Sequence, residues 1–258
     1  MPTSDKPSYS ALGDETMAAN VTVQSRKLRV LDLFSGIGGF SLGLERTGGF
    51  VTVAFCEIDP FCRRVLAKHW PNVRQFEDVT KLRGEDVGPV DVICGGFPCQ
   101  DISWAGQGRG LHGERSGLWR EFARLIGELR PAFALVENSA ALLARGMGDL
   151  LADLSLIGYD AEWHAISAAD LGAPHSRERL WVVAYPKGER PRQLRWLGSA
   201  AESEAARNVH WPQHEPPSER VVVGLPDGVD RLTALGNALL PQIPELIGRA
   251  ILQSREAA

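Results

Sequence analysis

The sequence has little cysteine, no long apolar run and no excess of positive charge. Its four cysteines, Cys56, Cys62, Cys94 and Cys99, have neither the C-x-x-C spacing of a zinc pair nor the framework of a disulfide-rich secreted domain, and no signal peptide precedes them. A reducing cytoplasm and no metal centre are the expectations. No apolar stretch approaches the roughly 20 residues that span a bilayer, so membrane insertion is not expected. The formal net charge of -4 gives no overall attraction for nucleic acid. Net charge is an average over the surface, however, and binding depends on where positive charge gathers. There is no internal repeat or low-complexity tract. At 258 residues, 44% hydrophobic and 23% charged, the chain has the size and composition of one globular domain or of one domain plus a small appendage.

Residues 1–27 mix Pro, Ser, Asp, Thr and Ala without periodicity and read as a mobile tail. An apolar strand over residues 28–34 follows, then Ser35-Gly36-Ile37-Gly38-Gly39 and a helix to about Arg46. Strand, glycine turn and helix open a nucleotide-binding βαβ unit, in which glycines let the backbone approach a ligand. The second strand ends in Glu57-Ile58-Asp59-Pro60, with Pro60 suited to a first helical turn. Glu57 stands 21 residues after Gly36, where an acceptor for ribose hydroxyls belongs. The run Val90-Asp91-Val92-Ile93-Cys94 leads to Gly95-Gly96-Phe97-Pro98-Cys99-Gln100.

Beyond Cys99, five glycines in the thirteen residues 105–117 suggest a lid. Helices are expected over residues 118–129, ended by Pro131, and over 140–157; strands are expected over 133–136, 159–168 and 180–184. Residues 186–228 hold six prolines and little periodicity, and read as a small irregular region. A helix over 241–253, apolar at Ile243, Leu246, Ile247, Ala250 and Ile251, could return to the sheet. Alternating strands and helices predict an α/β fold with helices on both faces.

A cysteine just past a buried strand, beside a glycine pair and a proline, is held where an open α/β sheet presents reacting groups. Taken alone, Cys99 reads first as an ordinary buried thiol. Its company changes that, because the glycine loop, Glu57, Asp78, Cys99 and Glu137 all fall at strand C-termini and such ends share one rim. Between His175 and Arg195, six basic residues stand against two acidic ones, a stretch locally positive by four. That stretch is a candidate nucleic-acid face or an arginine-rich solvated surface.

Phe34-Ser35-Gly36-Ile37-Gly38-Gly39, Gly96-Phe97-Pro98-Cys99-Gln100, Glu137-Asn138, Arg177-Glu178-Arg179 and Gly236-Asn237-Ala238 resemble the ordered motifs of the DNA (cytosine-5)-methyltransferases. The resemblance implies an open, mostly parallel Rossmann-like methyltransferase sheet and S-adenosylmethionine as methyl donor. It implies a catalytic domain over residues 28–185, a reduced target-recognition region over 186–228, and a segment over 229–258 returning to the catalytic domain. The acceptor would be cytosine, flipped out of double-stranded DNA. By the same resemblance Cys99 is the nucleophile, Glu137 holds the cytosine edge, Arg179 contacts the base oxygen, and Arg177 supports the site or the phosphate backbone. On the donor side, Phe34 goes to the adenine, Gly36 and Gly38 to the methionine portion, Glu57 to the ribose, Ile58 to an apolar wall, Asp78 to the adenine amine and Asn237 to the methionine end.

Ser139 and His175 replace the valine and glutamine usual in those motifs, and only 43 residues stand where the family places a substantial recognition domain. A phage-like or orphan enzyme is favoured over a standard restriction partner, with a monomer expected and a restriction endonuclease or other protein as a candidate partner. The competing readings are an RNA cytosine methyltransferase, a non-catalytic nucleic-acid-binding relative and a nicotinamide-dependent oxidoreductase. The last fits poorly, because Ser41 stands where G-x-G-x-x-G requires its third glycine.

Overall fold

The computed structural model describes residues 26–98, 117–191 and 238–256. Among them, a seven-stranded sheet runs in the order β3-β2-β1-β4-β5-β7-β6. Its strands are β1 (Leu28–Leu33), β2 (Phe50–Cys56), β3 (Arg74–Phe76), β4 (Val92–Gly95), β5 (Phe133–Ser139), β6 (Tyr159–Ser167) and β7 (Glu178–Pro186). The first five are parallel to one another. β7 alone is inserted antiparallel, between β5 and β6. The expected α/β fold and mostly parallel sheet are therefore present.

The helices are α1 (Gly39–Arg46), α2 (Pro60–His69), α3 (Gly84–Val87), α4 (Leu118–Leu129), α5 (Leu142–Arg145), α6 (Met147–Leu156) and α7 (Gln242–Glu256). Side chains alternate along each strand, so β1 sends Leu31 and Leu33 to one face and Leu28 and Val30 to the other. The first face packs on α4 and α6 through Trp119, Phe122, Ile126, Leu150 and Leu154. The second face packs on α1 and α7 through Phe40, Leu44, Ile243, Ile247 and Ile251. Each such large side chain, withdrawn from water, contributes about 1.5–3 kcal/mol.

Local chemistry sets the helix ends. Asp59 caps α2 by accepting from the Phe61 and Cys62 amides at 2.7 and 3.0 Å, and Pro60 occupies the first turn. α4 stops where Arg130 turns left-handed (φ 50°) ahead of Pro131. The single helix expected over 140–157 is two, because Gly146 leaves the helical region (φ 177°, ψ −2°) between α5 and α6. β7 is longer at both ends than the expected 180–184, and Arg26, within the expected tail, is already tied by both guanidinium nitrogens to Asp91 at 2.7 and 3.0 Å. The expected lid, except for Gly117, and the recognition region beyond residue 191 lie outside the described residues.

Candidate active site at the strand ends

The loops that leave the C-terminal ends of β1 to β5 enclose a cavity of about 370 Å³. Its wall includes Phe34 and Gly36 after β1, Glu57 and Ile58 after β2, Asp78 after β3, Gly96 and Pro98 after β4, and Glu137 on β5. Reversal of β7 brings the start of that strand to the same rim, so Arg177 and Arg179 complete the wall with Ala238 and Leu239. Eight of the eleven residues expected in the site are thus gathered around one space. Cys99 and Asn237 lie outside the described residues, although each directly adjoins a lining residue in sequence, Pro98 and Ala238.

Gly38 has a different place from the one expected. It does not line the cavity; a β-carbon there would meet the Trp70 ring at 2.6 Å, and its backbone is left-handed (φ 86°). Its glycine is required by Trp70 and by the turn into α1.

Glu57 organises one side. Its two carboxylate oxygens accept from the Gly36 amide at 2.7 Å and the Asp59 amide at 2.8 Å, which fixes the side chain while each oxygen keeps a further lone pair. Next to it Ile58 is 74% exposed, an apolar wall facing a space it does not fill itself. Asp78 accepts from the Thr80 amide and hydroxyl at 3.0 and 2.6 Å, and those bonds hold its pKa below the ordinary value. Phe34 packs on Phe122 with ring centroids 6.4 Å apart and still borders the cavity.

On the opposite side, Glu137 pairs with the Arg179 guanidinium at 3.0 Å, and its side chain is only 13% exposed. Burial raises the Glu137 pKa, while the charges of Arg179 and Arg177 oppose the rise. Beside it Asn138 is fully enclosed and donates to the Phe97 carbonyl at 3.1 Å, tying β5 to the turn that leads into Cys99. Burial pushes the thiol of Cys56, which also lines the cavity, up to about 12 and that of Cys94 upward as well, which disfavours a thiolate at either.

The expected family resemblance meets its test here. A family model for C-5 cytosine-specific DNA methylase matches residues 28–251. The chain belongs to the C-5 cytosine-specific DNA methylase family. Similar to it is the type II methyltransferase M2.BsuMI of Bacillus subtilis, 37% identical over 165 residues that make up 61% of this chain and 42% of that protein. Type II methyltransferase M.CviJI of Paramecium bursaria Chlorella virus IL3A is 32% identical over 193 residues, 74% of this chain and 50% of its own length. A crystal structure of an E. coli prophage protein, described as a DNA modification methyltransferase, superposes with a TM-score of 0.54 at 32% identity, covering 62% of this chain and 47% of that one. The chain spans about half the length of the curated relatives it matches.

Several residues that shape this site escaped the sequence motifs. Asp32, fully buried on β1, accepts from the Ser41 hydroxyl at 2.7 Å and its amide at 3.3 Å, so it caps α1 from a neighbouring strand where Gly38 has no side chain to do so. An acidic residue in an apolar run was the available signal. Arg63 and the glycines of α1 gave no signal of their own. The arginine-rich stretch also reads differently: Arg179, Lys187 and Arg190 are engaged with Glu137, Ser155 and Glu162, while Arg192 and Arg195 lie outside the described residues. Among the described residues, no helix is long and apolar enough to cross a membrane.

Proposed function

We propose that this chain transfers a methyl group from S-adenosylmethionine to carbon 5 of a cytosine in double-stranded DNA, through a covalent bond to Cys99. The observation that carries this reading is the half-buried Glu137–Arg179 pair, which borders the same cavity as Glu57 and Ile58. A base-recognition pair and a donor-binding wall then face one another across a single space. The size of the cavity falls within the range of small-molecule sites.

The residues present fit the donor. Glu57 has lone pairs for the ribose hydroxyls, Ile58 and Phe34 give apolar surface for the adenine, and Asp78 offers an acceptor for its amine. Bound there, S-adenosylmethionine supplies an electrophilic methyl on a sulfonium sulfur. Carbon 5 of cytosine is a poor nucleophile, and the protein's task is to change that. The Cys99 thiolate adds to carbon 6, and the electron pair of the 5,6 double bond moves toward carbon 5. Glu137, whose pKa burial raises against the pull of Arg179 and Arg177, gives a proton or a strong hydrogen bond to N3 as charge develops there. Arg179 lies beside it to contact the base oxygen. Carbon 5 takes the methyl as the methyl–sulfonium bond breaks and its electron pair leaves with the thioether, a base removes the carbon 5 proton, and the carbon 6 to sulfur bond breaks to release Cys99. Such a target must leave the base stack, so the reading includes a flipped cytosine. DNA specificity would reside in the short region over 186–228 or in a partner, and the virus and prophage relatives favour an orphan or phage-like role.

Labelled donor should methylate duplex DNA in preference to structured RNA, and duplex carrying 5-fluorocytosine should trap the protein covalently. Cys99→Ala should lose the trapped complex and keep donor binding. Methylation of carbon 5 by the alanine variant would refute the nucleophile, and transfer to RNA alone would refute the acceptor.

A further inference from the structure

Arg63 sits on the first turn of α2, yet its side chain does not run outward. It turns back past the helix N-terminus, where its guanidinium donates to the carbonyls of Ile58 at 3.0 Å and Glu57 at 3.3 Å and pairs with Glu77 at 3.0 Å. A cation near a helix N-terminus opposes the helix dipole, at a cost of about 0.3–1 kcal/mol. Its neighbour shows the alternative, since the Arg64 guanidinium lies over the Phe61 ring at 5.5 Å. Arg63 is placed against that preference by three acceptors, and its side chain is only 22% exposed.

Those acceptors belong to the two loops that form the donor side of the cavity. Glu57 and Ile58 follow β2, and Glu77 precedes Asp78 and Val79 after β3. β3 has only three residues of pairing to β2, Arg74 to Phe76, so the ladder alone is a short hold on the second loop. Arg63 itself does not line the cavity. The planar guanidinium presents donors in a fixed fork, so one side chain can set the distance between two loops, which a single-point ammonium cannot do.

We propose that Arg63 is a positioning residue for the methyl donor: it clamps residues 57–59 to residues 77–79 and so sets donor affinity without touching the donor. The inference rests on the donor assignment proposed above. It predicts an effect on donor binding that leaves the acceptor side alone, because Glu137 and Arg179 lie across the cavity and share no contact with the clamp.

Binding of S-adenosylhomocysteine by calorimetry, hydrogen exchange without any ligand, and steady-state kinetics with duplex DNA separate the possibilities for wild type, Arg63→Ala, Arg63→Lys, Glu77→Gln and the double variant Arg63→Ala with Glu77→Gln. Removing the guanidinium should weaken S-adenosylhomocysteine about tenfold, with lysine intermediate and the KM for DNA unchanged. Amides over 57–59 and 77–79 should exchange faster in Arg63→Ala, and Glu77→Gln should add almost nothing to it, because the pair acts as a unit. Affinity within about twofold of wild type together with unchanged exchange would overturn the clamp. So would equal losses in both substrates' KM, which mark general damage. If wild type does not bind S-adenosylhomocysteine, the donor assignment fails, and the exchange experiment still judges the clamp alone.

Discussion

A β-carbon at Gly96 would stand 2.6 Å from a carboxylate oxygen of Glu137. The turn that leads into Cys99 and the acid on β5 therefore share one volume, and glycine is the residue that leaves it to the carboxylate. Because the atom in the way is the far end of a flexible side chain, Gly96→Ala should fold and displace Glu137 from its 3.0 Å contact with Arg179. Methyl transfer should fall about 100-fold. Thermal unfolding should move by only a few degrees, and activity near wild type would show that Glu137 is not needed in that seat.

In the proposed reaction Glu137 serves N3 as an acid, and burial raises its pKa against the pull of Arg179 and Arg177. Activity should thus decline as pH rises through that pKa. Arg179→Ala removes a charge that holds the value down, so the alkaline limb of the kcat profile should shift to higher pH even as the rate itself drops. Glu137→Gln should cost about 10²–10⁴ in kcat and abolish that limb. An unmoved limb in Arg179→Ala would assign it to another group.

Asp32 should give the fold a pH dependence of its own. Burial pushes its pKa up to about 7, with the Ser41 bonds opposing. A carboxyl with a raised folded pKa contributes stability below its unfolded value of about 4 and loses it as pH climbs toward 7. The slope from this group is at most about 1.4 kcal/mol per pH unit. Asp32→Asn keeps an acceptor for Ser41 and removes the titration, so urea unfolding at pH 5 and pH 8 should differ less than in wild type. The same difference in both proteins would mean that Asp32 stays ionised throughout.

Gly43 on α1 faces a less forgiving neighbour. A β-carbon there would collide with the Pro241 carbonyl oxygen and approach Pro244 to 2.9 Å. Backbone cannot swing aside as a carboxylate can, so Gly43→Ala should cost about 1–3 kcal/mol. It should also weaken donor binding, since Ala238 and Leu239 belong to the cavity wall. Gly148→Ala in α6, with nothing within 4 Å of the new methyl, should instead stabilise by about 0.5–1 kcal/mol. Similar effects at both positions would refute the collision.

What was legible in the sequence was local. Pro60 and Pro131 mark a helix start and stop, the four-residue and three-residue steps through Ile243, Ile247, Ala250 and Ile251 mark the buried face of α7, and the spacing from Gly36 marks Glu57. Contacts between distant segments were not legible. Arg63 reads as one more charge on a solvated helix, because the carbonyls it seeks lie behind it and Glu77 belongs to another loop. Asn138 is visible as a motif residue, but its bond to Phe97 exists only once β4 and β5 pair. Gly146 looks tolerable inside an apolar helical pattern, and the break there is decided by how α5 and α6 each pack.

The docking of residues 238–241 against the glycines of α1 has a consequence for synthesis. On the ribosome the strands emerge in chain order, and β1 to β7 can assemble while the last wall of the cavity is still unmade. The ability to hold a donor would arrive late and abruptly, when Leu239 settles over Gly39. A nascent chain would then be folded in its sheet well before it could act on any DNA near it.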